Sequence, residues 1–64
     1  MTKQEAIQLM KEGIKVKHRF FMEGEWVIME DSLTVINEEG HAFSTLEFWK
    51  YRNGSEWETD WSIY

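Results

Sequence analysis

The 64-residue sequence contains neither cysteine nor proline. Without Cys there is no disulfide framework, no thiolate metal site and no thiol nucleophile, which removes three common devices of very small domains. Glycine is scarce, with four in the chain, and Gly13, Gly24, Gly40 and Gly54 each stand alone where an element is expected to end. No glycine-rich loop is therefore available to cradle phosphates. No apolar run approaches the roughly 18–20 residues that a membrane helix needs, and the chain turns polar within its first few residues, unlike a signal peptide. The expectation is a protein that works in a cytoplasm, away from membranes.

Chemistry is equally sparse. His18 and His41 are the only imidazoles, and no H-x-x-x-H or H-E-x-x-H spacing joins them, so neither a metal centre nor a cofactor is expected. The Ser and Thr hydroxyls fall in expected caps, turns and strand faces, with no G-x-S-x-G context. Enclosing a pocket of several hundred Å³ is difficult for so short a chain. No catalytic residue is assigned, and the sequence reads as a binding protein rather than an enzyme.

Aromatic side chains are plentiful: four Trp, four Phe and two Tyr. A chain of this length buries only about 60% of its unfolded surface, enough for one domain spanning residues 1–64 and no second core. Large rings are the economical way to fill it. Net charge is −5, and it is unevenly laid out. Residues 1–19 carry Lys3, Lys11, Lys15, Lys17 and Arg19 against Glu5 and Glu12, whereas residues 20–49 carry carboxylates and no Lys or Arg.

Thr2-Lys3-Gln4-Glu5 has the T-x-x-E form of a capping box. Ala6, Ile7, Leu9, Met10 and Ile14 follow at helical spacing, Lys11 complements the dipole, and Gly13 can close the helix, predicting a helix over about residues 3–12. From Lys15 the period becomes two. Val16, His18, Phe20 and Met22 alternate with Lys15, Lys17, Arg19 and Phe21, predicting a long strand with a core face, on which His18 finds a hydrogen-bond partner, and a mostly basic face. Glu23-Gly24 turns the chain into a strand over 25–30, and Asp31-Ser32 turns it again into 33–36. Trp26 and Ile28 oppose Val27 and Met29, which predicts a central strand covered on both faces. After the turn at Asn37–Gly40, a short strand at 41–43 leads to a second capping box, Ser44-Thr45-Leu46-Glu47, and a helix over about 45–52. Trp57, Thr59, Trp61 and Ile63 then alternate as a half-buried last strand. The fold class is α+β: an N-terminal helix packed on an antiparallel sheet of four to five strands, with a second short helix before the last.

Two surfaces could bind. On the alternation, Lys17, Arg19 and Phe21 share one face and could hold a phosphate and stack a base; a basic edge strand that discourages aggregation is the plainer use of the same residues. The carboxylates Glu23, Glu25, Glu30, Asp31, Glu38, Glu39 and Glu47 cluster at expected turns, where they could mimic a run of phosphates or merely be solvated. Trp49 and Tyr51 are candidate aromatic anchors beside them. Overall acidity disfavours direct binding of duplex DNA.

The pattern Glu5-Ala6-Ile7, then Gly13, then Lys15-Val16-Lys17-His18-Arg19-Phe20-Phe21, closing on Asp60-Trp61-Ser62-Ile63, resembles the small phage proteins of the Thoeris anti-defence sponge family. The resemblance implies homo-oligomers with ligand pockets between subunits that sequester a cyclic-nucleotide immune signal without cleaving it. By position, Phe21 falls where that family tends to place a stacking Trp, and Asp60 and Trp61 fall in its terminal D-W-x-I motif. The expected ligand set is Lys17, Arg19, Phe21, Asp60 and Trp61. The alternative is an inhibitor of the anti-CRISPR kind, docking on a host effector nuclease through its acidic turns and exposed aromatics.

Overall fold

The first helix starts where its cap is encoded. Thr2 Oγ1 accepts the Glu5 N–H at 3.2 Å and Glu5 Oε1 accepts the Thr2 N–H at 2.8 Å, the reciprocal bonds of a capping box. In the computed structural model, which describes every residue from Met1 to Tyr64, α1 runs from Lys3 to Lys11. Gly13 then takes a φ of 78°, the left-handed conformation that reverses the chain into the sheet.

Five strands follow: β1 (Val16–His18), β2 (Val27–Asp31), β3 (Thr34–Asn37), β4 (Ala42–Ser44) and β5 (Trp61–Ile63). They form one antiparallel sheet in the order β4-β3-β2-β1-β5. Between β4 and β5 lie α2 (Thr45–Lys50) and a single 3₁₀ turn, Ser55–Trp57. Ser44 caps α2 by accepting the Glu47 N–H at 3.1 Å. Both sheet edges are only three residues long, which limits the backbone they offer to other chains.

Alternation decides what is buried. Val16, Val27, Met29, Val35 and Trp61 point to one face, where Ala6 and Met10 of α1 and Phe48 of α2 close over them. His18 joins them as the only buried polar residue. Both helices lie on this face, so the expectation of a doubly covered central strand is corrected: on the other face Trp26, Ile28 and Ile36 are half-buried with no layer above them. A chain this short has no residues left for a second layer.

Two strands are shorter than the sequence pattern predicts. Beyond His18 the Arg19 N–H still crosses to the Asp60 carbonyl, and then the chain turns back on itself: Phe20 N–H donates to His18 Nδ1 at 3.1 Å and Phe21 N–H to the His18 carbonyl at 2.9 Å. The last strand begins only at Trp61, after Asp60 with a φ of 69°. Trp57 sits instead in the 3₁₀ turn, where its ring packs on His18.

Candidate functional site

His18 organises one end of the sheet. Its ring is 2% exposed and packs among Trp57, Trp61, Phe20 and Phe21 at centroid distances of 4.2, 4.9, 5.1 and 6.3 Å. Nε2 donates to the carbonyls of Thr59 at 2.8 Å and Glu56 at 3.0 Å, while Nδ1 accepts from Phe20. Those roles place the ring proton on Nε2. Trp61 Nε1–H donates to the Trp57 carbonyl at 2.8 Å, and no buried side-chain nitrogen or oxygen is left without a partner.

The loop from Arg19 to Glu25 is built on this scaffold. Its first four N–H groups are all engaged: Arg19 to the Asp60 carbonyl, Phe20 and Phe21 to His18, and Met22 to Glu25 Oε1 at 2.9 Å. Glu25 N–H returns to the Met22 carbonyl at 3.0 Å, and Gly24 supplies the positive φ of 85° that the turn needs. The side chains that leave the scaffold are Phe20, 55% exposed, and Met22, 79% exposed.

This inverts the expected faces. Phe21, expected beside Lys17 and Arg19, is half-buried and packs edge-on to Trp61 at 5.7 Å. Trp61 is 2% exposed and belongs to the core, so neither ring offers a stacking surface to a ligand. Lys17 is exposed on the uncovered sheet face, opposite Ser62. Arg19 and Asp60 do meet, with Nη1 and Oδ2 3.9 Å apart, but both are largely in solvent. The five residues therefore do not converge on one pocket. The uncovered face holds an arrangement that the sequence reading passed over: Lys15 Nζ lies 4.5 Å from the Trp26 ring centroid, and Trp26 lies 6.5 Å from Tyr64.

The carboxylates divide between the two ends of the sheet. Val27 pairs with Asn37, so Glu23 and Glu25, before β2, and Glu38 and Glu39, after β3, lie at the same end. Glu30 and Asp31 occupy the opposite end, at the β2–β3 turn where Asp31 Oδ1 accepts the Leu33 N–H. The molecule contains two ion pairs, Lys3–Glu58 and Arg19–Asp60; neither involves these six carboxylates. Glu23, Glu38 and Glu39 are exposed and Glu25 is half-buried. The Glu25 charge also faces Arg52, whose guanidinium lies over Phe48 and whose pKa is lowered by burial, with Glu25 opposing that shift.

Of the two candidate anchors, Trp49 is half-buried, edge-on to Phe48 at 4.9 Å and under Lys3 Nζ at 4.4 Å. Tyr51 is 73% exposed and lines an open depression on α2 with Leu46, Glu47 and Lys50. No group of three or more His, Asp or Glu side chains is arranged to hold a metal ion, and no helix is long and apolar enough to cross a membrane.

Phe20 and Met22 are the surface residues that sequence reasoning placed in the core. They lie in a turn in which the His18 ring accepts the Phe20 N–H, a contact that strict alternation cannot signal. No family model, curated protein or solved structure matches this chain.

Proposed function

We propose that this chain is a non-catalytic binding protein of the counter-defence kind, which acts in the host bacterial cytoplasm by occupying the basic groove of a nucleic-acid-handling protein such as an effector nuclease. The observation that supports this reading most strongly is the end of the sheet where Glu23, Glu38 and Glu39 stand without ion-pair partners and Phe20 and Met22 are exposed on the loop before β2. Unneutralised carboxylates steer a molecule toward cationic surfaces and can take the place of phosphates there. Exposed apolar side chains add the desolvated contact that makes such an encounter last.

Sequestration of a cyclic-nucleotide signal is the second reading, favoured by the solvent-exposed Lys17 and by Arg19, which is 74% exposed beside Asp60. With Phe21 and Trp61 turned inward, its stacking surface has to come from elsewhere, such as a second copy in a homo-oligomer. Calorimetry against a panel of cyclic nucleotides tests it, and silence toward all of them removes it.

For the first reading, tagged protein is used to capture partners from host lysate. A nucleic-acid-binding protein is expected to co-elute, to lose its nucleic acid on adding the chain, and to be absent when Glu23, Glu38 and Glu39 are changed to Lys. Retention of the same partner by that folded triple variant overturns the reading.

A further inference from the structure

We infer that the Arg19–Glu25 loop is a preformed apolar anchor whose partner is an amphipathic basic segment: apolar side chains flanked by Lys or Arg on a protein surface. This rests on the reading of the acidic end and adds to it what lies between the partner's cations.

Three features carry the inference. Most of the loop backbone is already tied down, because the N–H groups of Arg19, Phe20, Phe21, Met22 and Glu25 have acceptors within the molecule and only the tip, Glu23 and Gly24, does not bond inward. Docking therefore orders little chain, and the entropy that usually opposes binding through a loop is small. The loop also directs two neighbouring large apolar side chains outward. Phe20 rests one edge on Trp57 at 5.5 Å and on His18 at 5.1 Å yet stays 55% exposed, and Met22 is 79% exposed. A single exposed apolar residue is ordinary. Here two stand on the same braced turn, and Met adapts its shape to an irregular pocket. The third feature is charge. Glu23 on the loop, and Glu38 and Glu39 in the β3–β4 turn at the same end of the sheet, have no cation in contact. An acidic or neutral apolar partner would leave that field unanswered, whereas a partner with Lys or Arg beside its apolar side chains matches both components.

The division of labour follows. The carboxylates set the association rate and its salt dependence, and Phe20 and Met22 set the dissociation rate.

The test uses two synthetic peptides of equal length and charge, one alternating Lys with Leu in an amphipathic pattern and one alternating Lys with Ser, titrated into the ¹⁵N-labelled protein with calorimetry in parallel. The Lys/Leu peptide is expected to bind at least about tenfold more tightly, the size of a typical hot-spot contribution, and to shift the amides of residues 19–25, 38 and 39. Met22→Ser, at a position too exposed to disturb the core, is expected to remove most of that advantage. Phe20→Ser is expected to do the same, with its folding checked by its amide spectrum. Binding of both peptides with equal affinity, or Lys/Leu shifts centred away from the loop, overturns the anchor and leaves the acidic-end reading standing. Failure of both peptides to bind overturns both.

Discussion

The imidazole of His18 lies 4.2 Å from the ring of Trp57, with their planes 32° apart, and its Nε2–H reaches the carbonyls of Glu56 and Thr59 on either side of that tryptophan. One side chain thereby ties β1 to the segment before β5, across 38 and 41 residues of sequence. It also seats the Arg19–Glu25 loop through Nδ1.

Replacing His18 with Leu keeps the volume roughly apolar and removes all three bonds. A buried polar group left unpaired costs about 1–3 kcal/mol. His18→Leu should lower stability by about 2 kcal/mol or more in urea unfolding followed by tryptophan fluorescence. The Phe20 amide should lose protection from hydrogen exchange at the same time. A change within about 0.5 kcal/mol, as for an ordinary surface site, would contradict the role assigned to the ring.

Phe21, in the turn after β1, and Lys17, within it, separate packing from solvent exposure in this part of the chain. Phe21 packs on Trp61 and Trp57, so Phe21→Ala should cost about 2 kcal/mol, below the 3–5 of a fully buried Phe because the ring is only half-buried. Lys17 is solvent-exposed, and Lys17→Ala should stay within about 0.5 kcal/mol of the parent. Thermal unfolding of the two variants side by side gives the comparison.

The same residues show how far the sequence could be read. The capping box at Thr2–Glu5, the reversal at Gly13, the β1–β2–β3 meander and the Ser44 cap were legible because each depends on neighbours in the chain. The pairing of β5 with β1, through Val16 and Ile63 or His18 and Trp61, depends on the whole fold and leaves no local mark. The binding surface was harder still. Alternation places Phe20 and Met22 inward and Phe21 outward, and the turn after His18, bonded through His18 Nδ1, the His18 carbonyl and Glu25, holds all three the other way round.

The single covered face of the sheet makes a prediction of its own. Val35 is fully buried while Ile36, its neighbour on β3, is half-buried on the open face. Val35→Ala should therefore cost about 2 kcal/mol, through lost contact and a cavity, whereas Ile36→Thr should cost less than about 1 kcal/mol, since Thr keeps the β-branched shape that a strand favours. Equal losses in chemical denaturation would mean that a second layer covers that face in solution.

Acid should weaken the α1 cap. The Thr2 backbone N–H, and after it the Thr2 hydroxyl, hold the Glu5 carboxyl below its ordinary pKa. A carboxylate depressed in the folded state stabilises fully above its unfolded pKa, and that contribution is lost as pH falls through the folded value. Glu5→Gln should therefore be less stable than the parent at neutral pH and converge with it in acid. Thr2→Ala should raise the Glu5 midpoint part of the way toward the ordinary carboxylate value in an NMR titration, since the hydroxyl is lost while the backbone N–H remains, and should cost about 1 kcal/mol as a lost N-cap. A Glu5 midpoint at the ordinary carboxylate value in the parent would show that the box does not form in solution.

If the acidic end serves recognition, its charges should burden the fold. Glu38 and Glu39 are adjacent in the β3–β4 turn, Glu23 stands at the same end, and no cation touches any of them. Exposed like charges repel weakly, by a few tenths of a kcal/mol per pair, and salt screens that repulsion over about 8–10 Å. Raising NaCl from low to physiological concentration should therefore raise the thermal midpoint of the parent. The combined Glu23→Gln, Glu38→Gln, Glu39→Gln variant should start higher and respond less, because most of the screened repulsion is already gone. Natural sites often keep residues that stability alone would replace. Were the neutralised variant instead less stable at every salt concentration, these carboxylates would be making structural contacts, and their availability to a basic partner would be lost as an argument.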